Sequence, residues 1–143
     1  MSLRFRRPLI LVVDEDEKLP FFLRGALAPE GFGVVNAPDG KAALDRLGTM
    51  HDPPRLIFLD PETPVVSGCE LLAVLARDAK FAQVPVVLLC RQPPDRRIPS
   101  HNVVAQLAKP VPIDELTALV KKHARSSTRN RSRGDATSGV RSG

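Results

Sequence analysis

Three short, continuously apolar runs constrain the fold of this chain more than any other feature of its sequence. They lie within residues 9–13, 55–59 and 86–89. A strand that is apolar at every position, instead of at alternate ones, is typical of a sheet buried on both faces. The segments between the runs carry apolar residues at helical spacing. Strands that alternate with helices predict a parallel sheet covered by helices on both sides.

Two further strands are predicted over residues 33–36 and 102–108. Asp39 and Ser67 are predicted N-caps of the second and third helices, and Pro112 is predicted to open the last one. The apolar face of the first helix is predicted from residues spaced one, three and four apart: Leu19, Phe22, Leu23 and Leu27.

The segment between the fourth and fifth strands is the least regular part of the predicted order. Residues 92–100 include three prolines and few apolar side chains. Proline interrupts the hydrogen bonding of a helix interior. We therefore expect one helical turn at most in this segment.

Charge is distributed unevenly along the 143 residues, whose formal net charge is +5. Three arginines lie within residues 1–7, and the tail over 124–143 holds five arginines against one aspartate. The body between these ends is mildly acidic. The tail is rich in Ser, Arg and Gly, a composition that predicts disorder. We expect a basic extension over 1–7, one domain over 8–123 and a disordered basic tail over 124–143.

The composition also limits the partners of the chain. The tail lacks the interleaved aromatic residues that stack on bases, so binding to nucleic acid would be non-specific and electrostatic. No apolar run approaches the roughly 20 residues of a membrane span, and the start of the chain lacks a signal-peptide pattern. Cys69 and Cys90 have no metal-ligand spacing. We expect a cytoplasmic protein that does not bind membranes.

Acidic residues follow two of the predicted strands. Asp14, Glu15 and Asp16 come directly after the first strand, and Asp60 comes directly after the third. The carboxyl ends of parallel strands meet at one edge of a sheet, so these carboxylates should share one crevice. Like charges at such short range repel each other unless a cation lies among them. The sequence therefore predicts a divalent-metal site that contains an exposed aspartate, Asp60.

More signals follow the third, fourth and fifth strands: Pro64 and Gly68 behind Asp60, then Cys90, then the pair Lys109-Pro110. Each signal is weak alone. In this order and spacing, together with the acidic residues, they resemble the receiver domain of two-component response regulators over roughly residues 8–123. The resemblance implies a flavodoxin-like α/β fold with five parallel strands in the order 2-1-3-4-5. It also implies that the fourth of the family's five helices is short or irregular here.

The resemblance assigns a role to each matching residue. Asp60 matches the aspartate that accepts a phosphoryl group from a histidine kinase, a phosphotransfer protein or a small phosphodonor. Asp14 and Glu15 match the acidic pair that holds Mg²⁺, and the backbone carbonyl of Glu62 matches a further ligand. Lys109 matches the lysine that pairs with the aspartate and then with the phosphoryl oxygens. The resemblance also implies a cis peptide bond before Pro110 and signalling through an output protein that the sequence does not identify.

Several residues depart from the family pattern. Glu15 replaces the commoner aspartate, and Gln106 replaces an aromatic residue. Cys90 lies where the family usually has Thr or Ser, and a thiol is a weaker hydrogen-bond donor than a hydroxyl. Arg91 follows, where a small residue usually gives access to the aspartate. The weaker donor at Cys90 indicates that phosphorylation and metal binding can persist while the conformational response weakens.

Three alternatives remain open from the sequence. A degenerate receiver could keep the fold and act as a phosphorylation-independent docking module. A phosphatase of the haloacid-dehalogenase type could use Asp14 as nucleophile and Asp16 as general acid, although Asp16 is better explained as the N-cap of the first helix. A flavodoxin is weaker, because no phosphate-binding loop rich in Ser, Thr or Gly follows the first strand.

Overall fold

The computed structural model describes residues 7–63, 65–92 and 102–125. Five parallel strands form one sheet: β1 (Leu9–Val13), β2 (Gly33–Ala37), β3 (Leu56–Leu59), β4 (Val86–Cys90) and β5 (Val103–Ala108). Their spatial order is β2-β1-β3-β4-β5. The predicted flavodoxin-like sheet, with strand order 2-1-3-4-5, is confirmed.

The described residues form four α-helices: α1 (Lys18–Leu27), α2 (Gly40–Thr49), α3 (Gly68–Arg77) and α4 (Ile113–Val120). A 3₁₀ turn, Ala28–Glu30, follows α1, and a π-helical turn, Lys121–Arg125, extends α4. The segment predicted to hold a reduced helix, 92–100, lies outside the described residues except for Gln92. The same is true of Pro64 and of the tail beyond Arg125.

The predicted helix starts are formed by local hydrogen bonds. Asp39 caps α2 by accepting a hydrogen bond from the Ala42 N–H. Ser67 caps α3 in a reciprocal capping box with Glu70. Pro112 is the residue before α4. Asp16 accepts from the N–H of Lys18, the first residue of α1, although the N-cap position itself is Glu17.

Helices cover both faces of the sheet, so two apolar clusters form. One packs α2 and α3 on the sheet, and the other packs α1 and α4 on the opposite face. The strands β1, β3 and β4 are almost entirely buried, as their continuously apolar sequences predict. In the part of the chain that is described, no helix is long and apolar enough to cross a membrane.

Two expectations need correction. Phe22, assigned from its spacing to the apolar face of α1, is 54% exposed and packs edge-to-face on exposed Phe21. The face of α1 that packs on the sheet is narrower, with Leu23 and Leu27 fully buried. Ala124, assigned to the tail, is also fully buried in the core beside α4. The folded unit therefore extends through Arg125, two residues past the predicted boundary at 123.

The strand register places the charged residues that follow the strands at the carboxyl edge of the sheet. Val13 pairs with Leu59, and Leu59 pairs with Leu88 on the next strand. Cys90 pairs with Ala108. Asp14, Asp60, Arg91 and Lys109 follow these strand ends directly. Parallel pairing alone thus brings four segments, distant in sequence, to one carboxyl-end crevice.

Glycine is required where α3 begins beside this crevice. A Cβ atom at Gly68 would collide with the Pro61 backbone and lie 2.9 Å from the carbonyl oxygen of Asp60. The Gly68 N–H also donates to the Pro61 carbonyl at 3.0 Å. The start of α3 is therefore held directly against the loop after β3.

Gly68→Ala is expected to lower the free energy of unfolding by roughly 2–3 kcal/mol, because the backbone must move to admit a methyl group. Gly48→Ala in α2 is the matched control, since a Cβ there meets nothing within 4 Å. That substitution should be neutral or stabilising by up to about 1 kcal/mol. Urea unfolding monitored by circular dichroism measures both. Equal effects of the two substitutions would contradict the close approach.

Candidate functional site

Asp60 lies at the centre of the carboxyl-end crevice, directly after β3. Its side chain is 0% exposed, which corrects the expectation of an exposed aspartate. One carboxylate oxygen, Oδ1, accepts from the Glu62 N–H at 2.8 Å. The other, Oδ2, lies 3.0 Å from both Lys109 Nζ and Arg91 Nε. Two cationic side chains therefore cover this carboxylate from solvent.

Lys109 joins the two buried carboxylates of the site. Its Nζ lies 2.7 Å from Asp14 Oδ2 and 3.0 Å from Asp60 Oδ2. The strand end fixes its position, since the Lys109 N–H donates to the Cys90 carbonyl at 2.8 Å. The Lys109–Pro110 peptide is cis, as the resemblance implies. The predicted pairing of Lys109 with Asp60 is present, and Asp14 is a second partner.

Asp14 and Glu15 are adjacent in sequence but have different environments. The Asp14 residue is 2% exposed, and its Oδ1 accepts from the Asp16 N–H at 2.9 Å. Its Oδ2 is buried and, within the described residues, has the Lys109 ion pair but no hydrogen bond of good geometry. The Glu15 side chain is about half exposed, and its Oε1 lies 3.4 Å from Arg91 Nη2. Asp14 is thus a buried acceptor with unused capacity.

Arg91 is the residue whose role the sequence did not predict. The sequence marked it as an obstacle in a position where a small side chain is usual. In the structure it forms a bridge: Nε contacts Asp60 Oδ2 at 3.0 Å, and Nη2 contacts Glu15 at 3.4 Å. The sequence feature that could have indicated this role is the position of Arg91 directly after β4, the strand that neighbours β3.

These contacts set the protonation states of the site. Burial alone would raise the pKa of Asp60, but hydrogen bonds from the Glu62 N–H, Lys109 and Arg91 hold that pKa below its usual value. Burial likewise opposes the charge of Lys109, yet the carboxylates of Asp14 and Asp60 raise its pKa. Contact with Asp60 raises the pKa of Arg91. At neutral pH the site therefore holds ionised Asp60 against two charged cations.

Cys90 ends β4 beside the same crevice. Its side chain is buried, and the structure shows a free thiol, as it does for exposed Cys69. Burial, followed by the negative charges of Asp60 and Glu62, raises the pKa of the Cys90 thiol. The thiol is therefore in its neutral form near pH 7. The resemblance assigns a hydroxyl to this position, and a thiol donates hydrogen bonds less strongly than a hydroxyl.

The predicted Mg²⁺ ligands were Asp14, Glu15, Asp60 and the Glu62 carbonyl. Among the residues described, no group of three His, Cys, Asp or Glu side chains is arranged to hold a metal ion. Asp14 and Asp60 nevertheless converge on one ammonium group, and among the described residues this ion pair is the contact of the buried Asp14 Oδ2. Mg²⁺ needs only one or two carboxylates and keeps several waters. These two carboxylates fit such an ion, and the full ligand set stays a prediction.

A cavity of about 480 Å³ opens beside the site, between α1 and α4. Its polar end includes Asp14, Arg91 and Lys109, whereas Asp60 does not line it. Its apolar wall is formed by residues of α1, β4 and the segment from Val111 through α4, namely Leu19, Phe22, Leu89, Val111, Ile113 and Leu116. The sequence did not predict this cavity, because its walls come from three separate elements.

Comparison with known proteins identifies the family. The family model for the response regulator receiver domain matches residues 10–121. The chain therefore belongs to the receiver family, and not to the haloacid-dehalogenase phosphatases considered from the sequence. Receiver domains are signalling modules of two-component systems.

The relatives include both whole regulators and parts of longer proteins. The chain is 32% identical over 123 residues to the probable methanogenesis regulatory protein FilR2 of Methanothrix harundinacea, covering 80% of this chain and 79% of FilR2. It is 31% identical over 117 residues to the sensor histidine kinase TmoS of Ectopseudomonas mendocina, covering 80% of this chain but only 12% of TmoS.

A solved structure also shows the same fold. The receiver domain of the sensor histidine kinase PA1611 from Pseudomonas aeruginosa superposes with a TM-score of 0.67 at 21% identity. The match covers 83% of this chain and 98% of that domain, which was solved with a magnesium ion in its active-site cleft.

The lowered pKa of Asp60 predicts a pH dependence of stability. At pH values above 3.8, the ordinary pKa of an aspartate, the ionised Asp60 carboxylate stabilises the fold. This stabilisation is lost as the pH falls through the lower pKa of Asp60 in the folded protein. The free energy of unfolding of the wild type should therefore fall relative to that of Asp60→Asn below about pH 4. Urea unfolding of both proteins from neutral pH to about pH 3 measures this difference. A difference that is constant with pH, or that grows in favour of the wild type on acidification, would contradict the assignment.

Proposed function

We propose that this chain is a phosphoacceptor signalling module that receives a phosphoryl group on Asp60 from a histidine kinase or a phosphotransfer protein. The observation that carries the proposal is the buried Asp60 carboxylate, with Lys109 Nζ and Arg91 Nε both 3.0 Å from one oxygen. A site of this kind stabilises negative charge that develops next to the aspartate. Membership of the receiver family supports the same role.

The chemistry assigned to Asp60 is nucleophilic. Its carboxylate is ionised, so an oxygen attacks the phosphorus of the donor, the O–P bond forms, and the P–N bond of a phosphohistidine breaks. The departing imidazole takes up a proton from solvent. Lys109 pairs with the Asp60 carboxylate before transfer, and its ammonium group can contact an oxygen of the phosphoryl group after transfer. Positioning and charge neutralisation, and not covalent chemistry by other groups, provide the acceleration.

Asp14, Glu15, Asp60 and the Glu62 carbonyl are the residues proposed to hold Mg²⁺. When bound, this ion neutralises charge on the transferred phosphoryl group. The fit of Asp14 and Asp60 supports this assignment, as does the magnesium in the similar PA1611 domain. The Asp14 backbone is held by the sheet edge, since its N–H donates to the Ala37 carbonyl at 3.0 Å.

The signal is proposed to pass to an output protein through a change of surface, in the cytoplasm where histidine kinases present their phosphoryl groups. Cys90 weakens the link between the phosphoryl group and that surface, because its neutral buried thiol donates poorly. This observation favours a second candidate, a docking module that works without phosphorylation. The two functions differ in whether Asp60 is ever modified.

Intact-mass analysis after incubation with acetyl phosphate and Mg²⁺ separates the two candidates. We expect the wild type to gain one phosphoryl group and Asp60→Ala to gain none. Asp14→Ala should gain little, because a proposed metal ligand is lost, whereas exposed Asp45→Ala on α2 should behave as the wild type.

The failed outcomes are informative in different ways. Absence of the adduct in the wild type over a range of donor and Mg²⁺ concentrations would favour the docking module. An adduct that persists in Asp60→Ala but disappears in Asp14→Ala would contradict the assignment of Asp60 and indicate Asp14 as the nucleophile.

A further inference from the structure

Arg91 bridges two of the carboxylates that the proposed function assigns to the metal. Its Nε contacts Asp60 Oδ2 at 3.0 Å, and its Nη2 contacts Glu15 Oε1 at 3.4 Å. A guanidinium group is always charged and presents several donors in one plane, so it can bind two carboxylates at once. The oxygens that Arg91 contacts are therefore oxygens that a divalent cation would need.

The position of Arg91 also controls access to Asp60. The cavity beside the site reaches Arg91, Lys109 and Asp14 but not Asp60, whose side chain is fully buried. Lys109 is 26% exposed and is anchored by both buried aspartates. The Arg91 side chain is 42% exposed and follows the last residue of β4. Of the two described cations that contact Asp60, Arg91 is the one whose departure leaves the ion pair between Lys109 and Asp14 intact.

We propose that Arg91 is a tethered competitor of the divalent cation, whose guanidinium must leave Asp60 and Glu15 before Mg²⁺ can bind. This inference rests on the proposed function, because it takes Asp60 and Glu15 as metal ligands. Arg91 and the ion carry the same sign and use the same oxygens, so they bind in exchange. The bridge stabilises the metal-free protein and lowers its affinity for Mg²⁺ by the same interaction.

The exchange has a structural consequence for Glu15. The arm of a glutamate is one methylene longer than that of an aspartate, and here it reaches outward to Arg91 at the exposed edge of the site. Release of Arg91 frees Glu15 and leaves Lys109 as the remaining described cation on Asp60 Oδ2. Removal of one arginine therefore removes a competing cation from two carboxylates.

The direct test is calorimetric titration of the full chain with MgCl₂, comparing the wild type with Arg91→Gln. We expect Arg91→Gln to bind Mg²⁺ roughly tenfold more tightly, the effect of losing a hydrogen bond between charged groups. Arg91→Lys keeps the charge but cannot span both carboxylates, so its affinity should lie between the two. Lys18→Gln removes a charge that lines the same cavity without an ion pair to any carboxylate of the described residues. It should change the affinity by less than about twofold.

Thermal unfolding distinguishes competition for the metal site from a general loss of stability in the variant. In EDTA, the melting temperature of Arg91→Gln should be lower than that of the wild type, because the buried Asp60 carboxylate loses one of its two cations. Added Mg²⁺ should then raise the melting temperature of the variant more than that of the wild type. Circular dichroism spectra of the variants confirm that each is folded.

Three other outcomes of the Mg²⁺ titrations would overturn the proposed competition. Equal Mg²⁺ affinity in the wild type and Arg91→Gln would overturn the competition but leave the proposed function intact. Equal tightening in Arg91→Gln and Lys18→Gln would also overturn it, since general repulsion would then suffice. No Mg²⁺ binding in any folded variant would contradict both the competition and the metal site of the proposed function.

Discussion

The ion pair between the Lys109 ammonium and two buried carboxylates is the interaction on which the rest of the site depends. Asp14 and Asp60 directly follow neighbouring strands, β1 and β3, and both are almost fully removed from solvent. Two like charges in that position would be unfavourable without a cation between them. Lys109 Nζ lies within 3.0 Å of an oxygen on each. Because β5 fixes the Lys109 backbone against β4, this compensation is a property of the fold.

Much of this arrangement could be predicted from the sequence because parallel strands leave little freedom. A continuously apolar run fixes a buried strand, and the residue after it must lie at the carboxyl edge of the sheet. Asp14 and Asp60 were located by that rule, whereas Lys109 follows a less regular strand and was located through the family resemblance. The exposure of side chains on the helices was harder to predict from the sequence, because it depends on contacts between elements that are distant in the chain. Phe22 has the spacing of a core residue yet lies 54% exposed.

Arg91 illustrates the same limit at the functional site itself. The sequence placed a bulky cation next to the aspartate, but only the structure shows that it bridges Asp60 and Glu15. Two of the protein's own cations, Arg91 and Lys109, thereby pair with the three carboxylates of the site, Asp14, Glu15 and Asp60. Under the proposed function, modification of Asp60 would have to displace the contacts that Arg91 and Lys109 make with this carboxylate.

The central claim is that Asp60 itself becomes an acyl phosphate. Borohydride reduces an acyl phosphate to an alcohol, so treatment of the phosphorylated protein converts the modified aspartate into homoserine. Peptide mass spectrometry then locates the change within the chain. We expect homoserine at position 60 after exposure to the phosphodonor. Homoserine at position 14, or none at either position while a phosphoryl adduct is present, would contradict the central claim.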